Sequence, residues 1–560
     1  MYGQPTLQTC TDSRGERHVM GTWEYDDFGQ LKKSVAGGFC YTYEYRPDGK
    51  LLRKWNSGKQ VISCEYYKSG ELKSLTDVSG KTLYYEYDEN GRLKYLKGDN
   101  EEVFIEYTYT SAGRVREIIA AGGIKTSYSY DEDGNISRLT IGDGTEDGLL
   151  YDAFMLYDLN GNCLGKTGQR MGVEGKQEMN TVFCYDAMSR LTMENRREGG
   201  EKYAYDLVGN RLSKQRYHYA LTVNGNMDSV IDEEESYCYN ERNELTEHVQ
   251  AGSLTAYLYD ANGSMISEES GGKKSEYRYD LLNRQSYVRT PNGRIQENLY
   301  DGEGLRAGLR EGNTVSTFLF YNGEILAECN GDSMPIRRHL RGFGLFGVEN
   351  ISAETSHVYH QDEQGSTAYI TGIKGKTENL YNYDAFGNLL ESREDITNRI
   401  LYTGQQYDQE TSQYYLRARY YNPVIGRFTQ EDTYRGDGLN LYAYCANNPL
   451  GYYDPSGHDK ATQTNNTPKS TPAGEIDFEG GSTSGKTNFI VSPNGIVVDA
   501  NINVSSIPET QFTDKNLQHE FKHASDFGIT GNWNKSNAVE YQQAIESYVD
   551  SDTDTFISKY

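Results

Sequence analysis

Long apolar runs are absent from this sequence. No stretch approaches the roughly 18 apolar residues of a membrane helix, so the sequence predicts no helical membrane span. The start, MYGQPTLQTC, has neither the basic segment nor the apolar core of a secretory signal. We therefore expect either another export route or a sequence that begins partway through a longer gene, and we favour the second.

Cysteine residues are also few, and positively charged residues are outnumbered by negatively charged ones. The eight cysteines contain no C-x-x-C pair, and so low a density in a long chain excludes a disulfide framework and predicts small buried residues. The formal net charge of −26 excludes a protein that coats nucleic acid or anionic membrane over its whole surface. A nuclease at one end of the chain remains compatible with that charge.

Proline is scarce, with 11 residues in 560, whereas tyrosine and glycine are abundant at 49 and 59. Tyrosine favours half-buried strands, and glycine supplies turns that need positive φ. The chain is long enough to bury a large core. This composition predicts a long β protein with many short strands.

A repeat of the form Y-D-x-x-G-x-L runs through the first two thirds of the chain. The segment YYEYDENGRLKYLK, residues 84–97, is one copy, and tyrosines at 25, 45, 66, 87, 109 and 130 are 20 to 22 residues apart. Alternating side chains predict a strand, Asp-x-x-Gly predicts a tight turn with the carboxylate capping local N–H groups, and a second strand follows. Each unit is a β-hairpin that must stack on its neighbours.

This pattern resembles the YD repeats of the Rhs family, shared by the teneurin shell and the toxin-complex C subunits. The resemblance spans about residues 21–384 and implies a mainly β fold. Its hairpins are expected to form a spiral hollow β-shell over residues 1–395, and the shell is expected to be monomeric. In that fold the tyrosine and aspartate residues of the repeats have a structural role in the shell and no catalytic role. Because the first copy starts near residue 21 without a cap, we expect an upstream stretch.

Residues 396–458 resemble the Rhs repeat-associated core. The matching blocks are LRARYY, IGRF, NLY and DPSG, in that order. In that family the core cuts its own chain after a final D-P-x-G-L, using two aspartates, and the spacing matches Asp432 and Asp454, 22 residues apart. The resemblance implies these two as an acid/base pair, Arg427 as a helper and cleavage after His458. Here DTYR replaces the first D-P-x-G, and His458 replaces the leucine. The alternative to self-cleavage is that this segment is a turn that only ends the shell.

The composition changes after His458. Residues 459–480 are typical of a linker, and residues 481–560 predict a small α+β domain with a hairpin around Pro493-Asn494-Gly495 and two helices. The match of GGSTSGKT, residues 480–487, to a phosphate-binding loop lacks the surrounding strand and helix. DSDTDTF, residues 550–556, lacks the glycine and the glutamate of a calcium loop.

The segment LQHEFKHASDFG, residues 517–528, matches the motifs of two different kinds of catalytic site. His519 and His523 with Glu520 fit H-E-x-x-H, in which the histidines bind zinc and the glutamate polarises water. The block K-H-A-x-D-F-G-I instead resembles the nuclease domain of colicin D and related contact-dependent toxins. That resemblance implies a metal-independent tRNA endonuclease without cofactor, His523 as general acid/base and Lys522 as the phosphate-binding group. Residues 459–560 carry 7 Lys, no Arg and 14 Asp+Glu, and the family domain extends further, so we expect an incomplete domain.

Together these resemblances imply a secreted or cell-surface bacterial toxin for interbacterial competition. Its shell encloses a tRNA-cleaving domain that acts in the target-cell cytoplasm. The implied partners are tRNA, a cognate immunity protein and a secretion-system or cell-envelope component. The alternatives are the same shell with a zinc metalloprotease, and a non-enzymatic surface protein that mediates contact.

Overall fold

The structure is a computed structural model. It describes residues 6–11, 14–221, 227–436, 438–462, 490–491 and 497–498. Two compact units divide the chain, Met1–Ala473 and Gly474–Tyr560. The second unit contributes only a short antiparallel pair to the described residues, at the place where the sequence predicts a hairpin.

The main sheet has 35 strands. The first twelve are β1 (Leu7–Thr11), β2 (Arg17–Tyr25), β3 (Leu31–Ala36), β4 (Phe39–Tyr45), β5 (Leu51–Asn56), β6 (Lys59–Tyr66), β7 (Leu72–Thr76), β8 (Thr82–Tyr87), β9 (Leu93–Lys97), β10 (Val103–Tyr109), β11 (Val115–Ala120) and β12 (Lys125–Tyr130). The next twelve are β13 (Ile136–Gly142), β14 (Leu149–Tyr157), β15 (Cys163–Gly172), β16 (Gly175–Tyr185), β17 (Leu191–Arg196), β18 (Gly199–Tyr205), β19 (Arg211–Leu221), β20 (Met227–Tyr239), β21 (Leu245–Gln250), β22 (Ser253–Tyr259), β23 (Met265–Ser270) and β24 (Lys273–Tyr279). The last eleven are β25 (Gln285–Arg289), β26 (Ile295–Tyr300), β27 (Arg306–Glu311), β28 (Thr314–Tyr321), β29 (Glu324–Asn330), β30 (Pro335–Gly342), β31 (Gly344–Asn350), β32 (Thr355–Gln361), β33 (Thr367–Gly372), β34 (Thr377–Tyr383) and β35 (Leu389–Glu394).

Eight shorter strands follow. They are β36 (Gln406–Asp408), β37 (Gln413–Leu416), β38 (Arg419–Asn422), β39 (Arg427–Phe428), β40 (Tyr452–Tyr453), β41 (Ala461–Thr462), β42 (Ile490–Val491) and β43 (Val497–Val498). Two 3-10 turns lie at Tyr402–Gly404 and Cys445–Asn447. The described part of the chain contains no α-helix, and therefore no helix that could cross a membrane.

Each strand of the main sheet pairs antiparallel with the next strand in the chain. This order is what tandem hairpins produce, because each repeat supplies two strands and the next repeat continues the ladder. The predicted mainly β fold of stacked hairpins is confirmed for residues 7–394.

The Y-D-x-x-G turn forms as the sequence predicts. In one copy, Asp88 Oδ1 accepts hydrogen bonds from the N–H groups of Asn90 and Arg92, both at 2.9 Å. Gly91 has φ +74°, the left-handed conformation that favours glycine. The same pair of backbone bonds, to the residues two and four positions on, recurs at Asp26, Asp158, Asp186, Asp206, Asp260, Asp280, Asp301, Asp362 and Asp384.

The repeat tyrosine has a role that its spacing does not predict. The Tyr87 hydroxyl donates to the carbonyl of Leu72, 3.0 Å away, at the start of the strand that follows the preceding turn. The hydroxyls of ten further tyrosines make the equivalent bond to the preceding repeat: Tyr66, Tyr109, Tyr130, Tyr157, Tyr185, Tyr205, Tyr239, Tyr279, Tyr300 and Tyr383. In these eleven repeats the phenol hydroxyl therefore joins the hairpin to its predecessor.

We expect Tyr87→Phe to lower the stability of the shell by about 1 kcal/mol, because the Leu72 carbonyl loses its phenol donor while packing is retained. The denaturation midpoint of the purified chain measures this. Tyr84→Phe is the matched control, since the Tyr84 side chain is exposed. Equal midpoints for the two variants would contradict the role of the hydroxyl.

The sheet winds on itself as a spiral, and each full turn of this spiral is one circuit. Near its start, the Trp23 indole N–H donates to the carbonyl of Gly302, 279 residues away. Near its end, the Ala385 N–H donates to Glu194, only 191 residues away. These contacts between circuits therefore span fewer residues towards the C-terminal end of the sheet.

Apolar and ionic contacts join neighbouring circuits. One core cluster packs Leu75 and Leu96 of the first circuit against Leu326 and Phe346 of the next. Ion pairs add to these contacts, as between Lys166 Nζ and Glu363 Oε1 at 2.8 Å.

The segment after β35 packs against the spiral. Strands β36 to β39 form a separate four-stranded sheet. Asp408 of β36 pairs with Arg306 of β27, and both side chains are fully buried. Stacked tyrosines belong to the core of the same segment, for example Tyr421 and Tyr444 with ring centroids 4.1 Å apart.

Cys40, Cys64, Cys163, Cys184, Cys238 and Cys329 carry free thiols. Cys64, Cys163, Cys329 and Cys445 are buried, as the sequence predicts. Cys238 is exposed, against that prediction, because it lies on the outward-facing side of β20.

Candidate functional site

The loop from Asp454 to His458 is built around the Asp454 carboxylate. Its Oδ1 accepts the N–H groups of Ser456 at 2.9 Å and Gly457 at 2.7 Å. Gly457 has φ +79°, and a Cβ there would lie 2.2 Å from the Leu416 carbonyl oxygen. The glycine of the DPSG block is therefore required by both backbone conformation and space.

Asp432 follows β39 and is held by its own turn. Its N–H donates to the carbonyl of Leu441 at 3.1 Å, and its Oδ1 accepts the N–H of Tyr434 at 2.8 Å. Asp432 and Asp454 are 5% and 2% exposed. The two aspartates predicted from the motif spacing are thus both buried.

Arg419, at the start of β38, connects these two aspartates. Its Nη2 lies 2.6 Å from Asp432 Oδ2 and 3.9 Å from Asp454 Oδ2. Its Nε donates to the carbonyl of Gly457, and its Nη1 to that of Leu441 at 2.8 Å. The guanidinium lies 3.6 Å from the centre of the Phe428 ring, which fixes its plane.

Sequence reasoning missed Arg419 and named Arg427 instead. The Arg427 Nη2 donates to the carbonyl of Asn243, and its guanidinium lies between the rings of Tyr239 and Tyr442. Arg427 therefore connects the core to a turn of the shell. The LRARYY block was the available signal for Arg419, but it does not say which arginine points inward.

His458 contacts the same carboxylate. Its Nδ1 lies 2.7 Å from Asp432 Oδ1, and its side chain is 39% exposed. His458, Asp432 and Arg419 thus form a continuous row from solvent to the interior.

The two carboxylates have different surroundings. Burial raises the pKa of Asp454 above its ordinary value, against the opposing effect of backbone N–H donors and Arg419. Asp432 is in direct contact with the Arg419 cation, whereas Asp454 is more than an ångström further from it. Carboxylates in unlike environments can take the separate roles of acid and base.

Residues 427–448 anchor this site to the shell. Asn440 and Asn448 donate to the side-chain oxygens of Asn210 and Asn162 in two YD turns, at 2.8 and 2.7 Å. The Tyr442 hydroxyl donates to Gly263 of a third turn at 2.8 Å. The site is therefore held in place by three turns of the shell.

A cavity of about 790 Å³ lies beside the strand pair β40–β41. Its lining includes Tyr452, Tyr453, Pro455 and Thr462 together with residues of several YD turns. The chain on either side of the Asp454 loop thus borders this cavity.

His519, Glu520, Lys522 and His523 lie outside the described residues, as do the phosphate-loop and calcium-loop matches. Among the residues that the structure describes, no group of three or more His, Cys, Asp or Glu is placed to hold a metal ion.

Comparison with known families gives three matches. The family described as Teneurin YD-shell matches residues 145–450, RHS Repeat matches residues 109–146, and Colicin D matches residues 516–560. These matches confirm the resemblances drawn from the YD repeats and from the K-H-A block.

Curated relatives include a tRNA3(Ser)-specific nuclease WapA of Bacillus spizizenii, 27% identical over 442 residues. That alignment covers 74% of this chain and 16% of the relative. Toxin protein Tse5 of Pseudomonas aeruginosa is 24% identical over 509 residues, covering 78% of this chain and 36% of that protein. The chain thus spans well under half the length of these relatives.

The fold resembles that of a solved structure titled TcdB2-TccC3-TEV, with a TM-score of 0.66 and 17% identity over 80% of this chain and 26% of that one. A Photorhabdus luminescens Tc holotoxin pore structure has a TM-score of 0.53 and 16% identity, covering 84% of this chain and 30% of that one. At these identities the likeness concerns the fold alone.

Proposed function

Because this chain belongs to the teneurin YD-shell family, we propose that it is an Rhs-type toxin whose β-shell cuts its own chain to release a C-terminal nuclease. Asp432 and Asp454 perform the cut between His458 and Asp459. The strongest support is the position of Arg419, which contacts both aspartates and the Gly457 carbonyl within one buried site.

The reaction is hydrolysis of one peptide bond. The Asp432 carboxylate takes a proton from water, whose oxygen adds to the carbonyl carbon of His458. Asp454, which burial keeps protonated more readily, gives its proton to the nitrogen of Asp459 as the C–N bond breaks. The products are a carboxyl group on His458 and an amine on Asp459, and solvent returns the proton from Asp432 to Asp454.

Arg419 supports this reaction in two ways. Its Nη2 lies 2.6 Å from Asp432 Oδ2 and holds that carboxylate in position. Its bond to the Gly457 carbonyl positions the segment that precedes the scissile bond.

The test is to express the full chain and follow it by denaturing gel and mass spectrometry. We expect two fragments, residues 1–458 and 459–560, with a new N-terminus at Asp459. A single full-length band after prolonged incubation of folded protein would contradict self-cleavage. A new N-terminus at another residue would contradict the assigned bond.

For the released domain we propose cleavage of tRNA, with His523 as general acid/base and Lys522 holding the phosphate. The Colicin D match over residues 516–560 supports this choice. A histidine can move the 2′-OH proton near neutral pH, and a lysine stabilises charge on the phosphoryl oxygens. In this proposal the protein acts between bacteria, and its producer needs an immunity protein.

We expect His523→Ala in the full chain to reduce tRNA cleavage about 100-fold, since loss of a general acid/base has effects of this order. EDTA should leave the activity of the unchanged chain intact. Loss of all activity with EDTA, restored by zinc, would instead support the metalloenzyme that His519, Glu520 and His523 suggest. Ser536→Ala, in the same region but outside the motif, is the control.

A further inference from the structure

Both oxygens of Asp432 already have partners. Oδ2 lies 2.6 Å from Arg419 Nη2, while Oδ1 accepts the Tyr434 N–H at 2.8 Å and lies 2.7 Å from His458 Nδ1. A carboxylate offers about four lone-pair positions, and the Asp432 side chain is only 4% exposed. Little of this carboxylate is left to bind water.

His458 is the partner on the solvent side. Its side chain is 39% exposed, whereas that of Arg419 is 5% exposed. The imidazole ring therefore lies between solvent and Asp432 Oδ1.

We propose, on the basis of the self-cleavage function above, that the His458 side chain restrains the cut by occupying the Asp432 oxygen at which the attacking water must bind. The ring has to leave this oxygen before Asp432 can act as a base. His458 thereby sets how quickly the C-terminal domain is freed from the shell.

The motif that the core resembles has leucine at this position. A leucine side chain neither donates nor accepts hydrogen bonds, so it leaves Oδ1 open to water. It also cannot transfer a proton, which means that the reaction proposed for this site needs no group from residue 458. These two points favour a restraining role for His458 over a role as an additional base.

The charged groups that surround the ring are consistent with a stable contact. Asp432 faces the ring directly, Arg419 Nη2 lies 2.6 Å from Asp432 Oδ2, and Asp454 Oδ2 lies 3.9 Å from the same Arg419 nitrogen. The His458 N–H also lies 3.2 Å from Ser456 Oγ, which positions the backbone of the same residue. Replacement of the ring alone therefore leaves the loop in place.

The experiment compares self-cleavage of the full chain with that of His458→Leu and His458→Met. Both variants remove the contact with Asp432. If one of them misfolds, the other still tests the proposal. We expect each to cleave at least about ten-fold faster, the change produced by a barrier lower by about 1.4 kcal/mol. Asp432→Asn in the His458→Leu background should abolish the faster cleavage.

His218→Leu is the matched control. The His218 Nδ1 lies 2.6 Å from Asp232 Oδ1, and its side chain is 48% exposed, so the substitution removes a similar contact away from the site. Its cleavage rate should equal that of the unchanged chain.

The outcomes separate the two proposals. An unchanged or slower rate in both folded His458 variants, with cleavage of the unchanged chain still present, would overturn the restraint and leave self-cleavage standing. Absence of cleavage in the unchanged chain and in both variants would overturn self-cleavage, and the restraint with it.

Discussion

Asp432→Asn should slow self-cleavage of the full chain at least about 1,000-fold, within the range for loss of a general base. An asparagine can still accept the Tyr434 N–H and so preserve the turn. It cannot take a proton from water, and it brings no charge next to Arg419. The measurement is the loss of full-length chain with time on a denaturing gel.

Asp88→Asn provides a closely matched control for this prediction. Asp88 also accepts a backbone N–H two residues on, at 2.9 Å, and pairs with an arginine, Arg92, at 2.6 Å. It lies in a YD turn remote in sequence from the core, so cleavage should continue at the normal rate. Cleavage by Asp432→Asn at the rate of the control would contradict the assignment of Asp432 as base.

Local structure could be predicted well from this sequence. The turn at Asp88 and Gly91 depends only on residues within five positions, so its pattern specifies it directly. The acceptor of the Tyr87 hydroxyl could not be predicted in the same way, because it depends on the register between successive repeats. Contacts between circuits, such as that of Trp23 with Gly302, depend on the whole wound sheet, which no short motif records.

In the candidate site, too, short motifs predict some residues, whereas others become evident only from tertiary contacts. Asp432 and Asp454 are recognisable because two short blocks have a characteristic spacing. Arg419 was missed because its importance arises from β38, which directs its side chain towards both carboxylates. The contact between His458 and Asp432 spans 26 residues and follows from the folded loop.

Arg338 is expected to contribute strongly to the stability of the spiral. It pairs with Asp77, 261 residues earlier, and its Nη1 lies 2.9 Å from Glu349 Oε2. The side chains of Arg338, Asp77 and Glu349 are 2%, 0% and 9% exposed. Removal of one partner from so buried a group leaves uncompensated charge, so Arg338→Met should cost about 3–5 kcal/mol in the free energy of unfolding.

A second substitution tests whether the unpaired Asp77 carboxylate causes that loss. Glu349 keeps a contact with Lys81 at 3.4 Å, whereas Asp77 loses its charged partner. Adding Asp77→Asn to Arg338→Met should therefore recover part of the stability, because a buried amide needs no counter-charge. Lys33→Met is the exposed control, expected to cost less than about 1 kcal/mol. Denaturation midpoints that are equal for Arg338→Met and Lys33→Met would mean that apolar packing alone joins the circuits. A larger loss that Asp77→Asn relieves would mean that the contact between circuits also needs this buried charge pair.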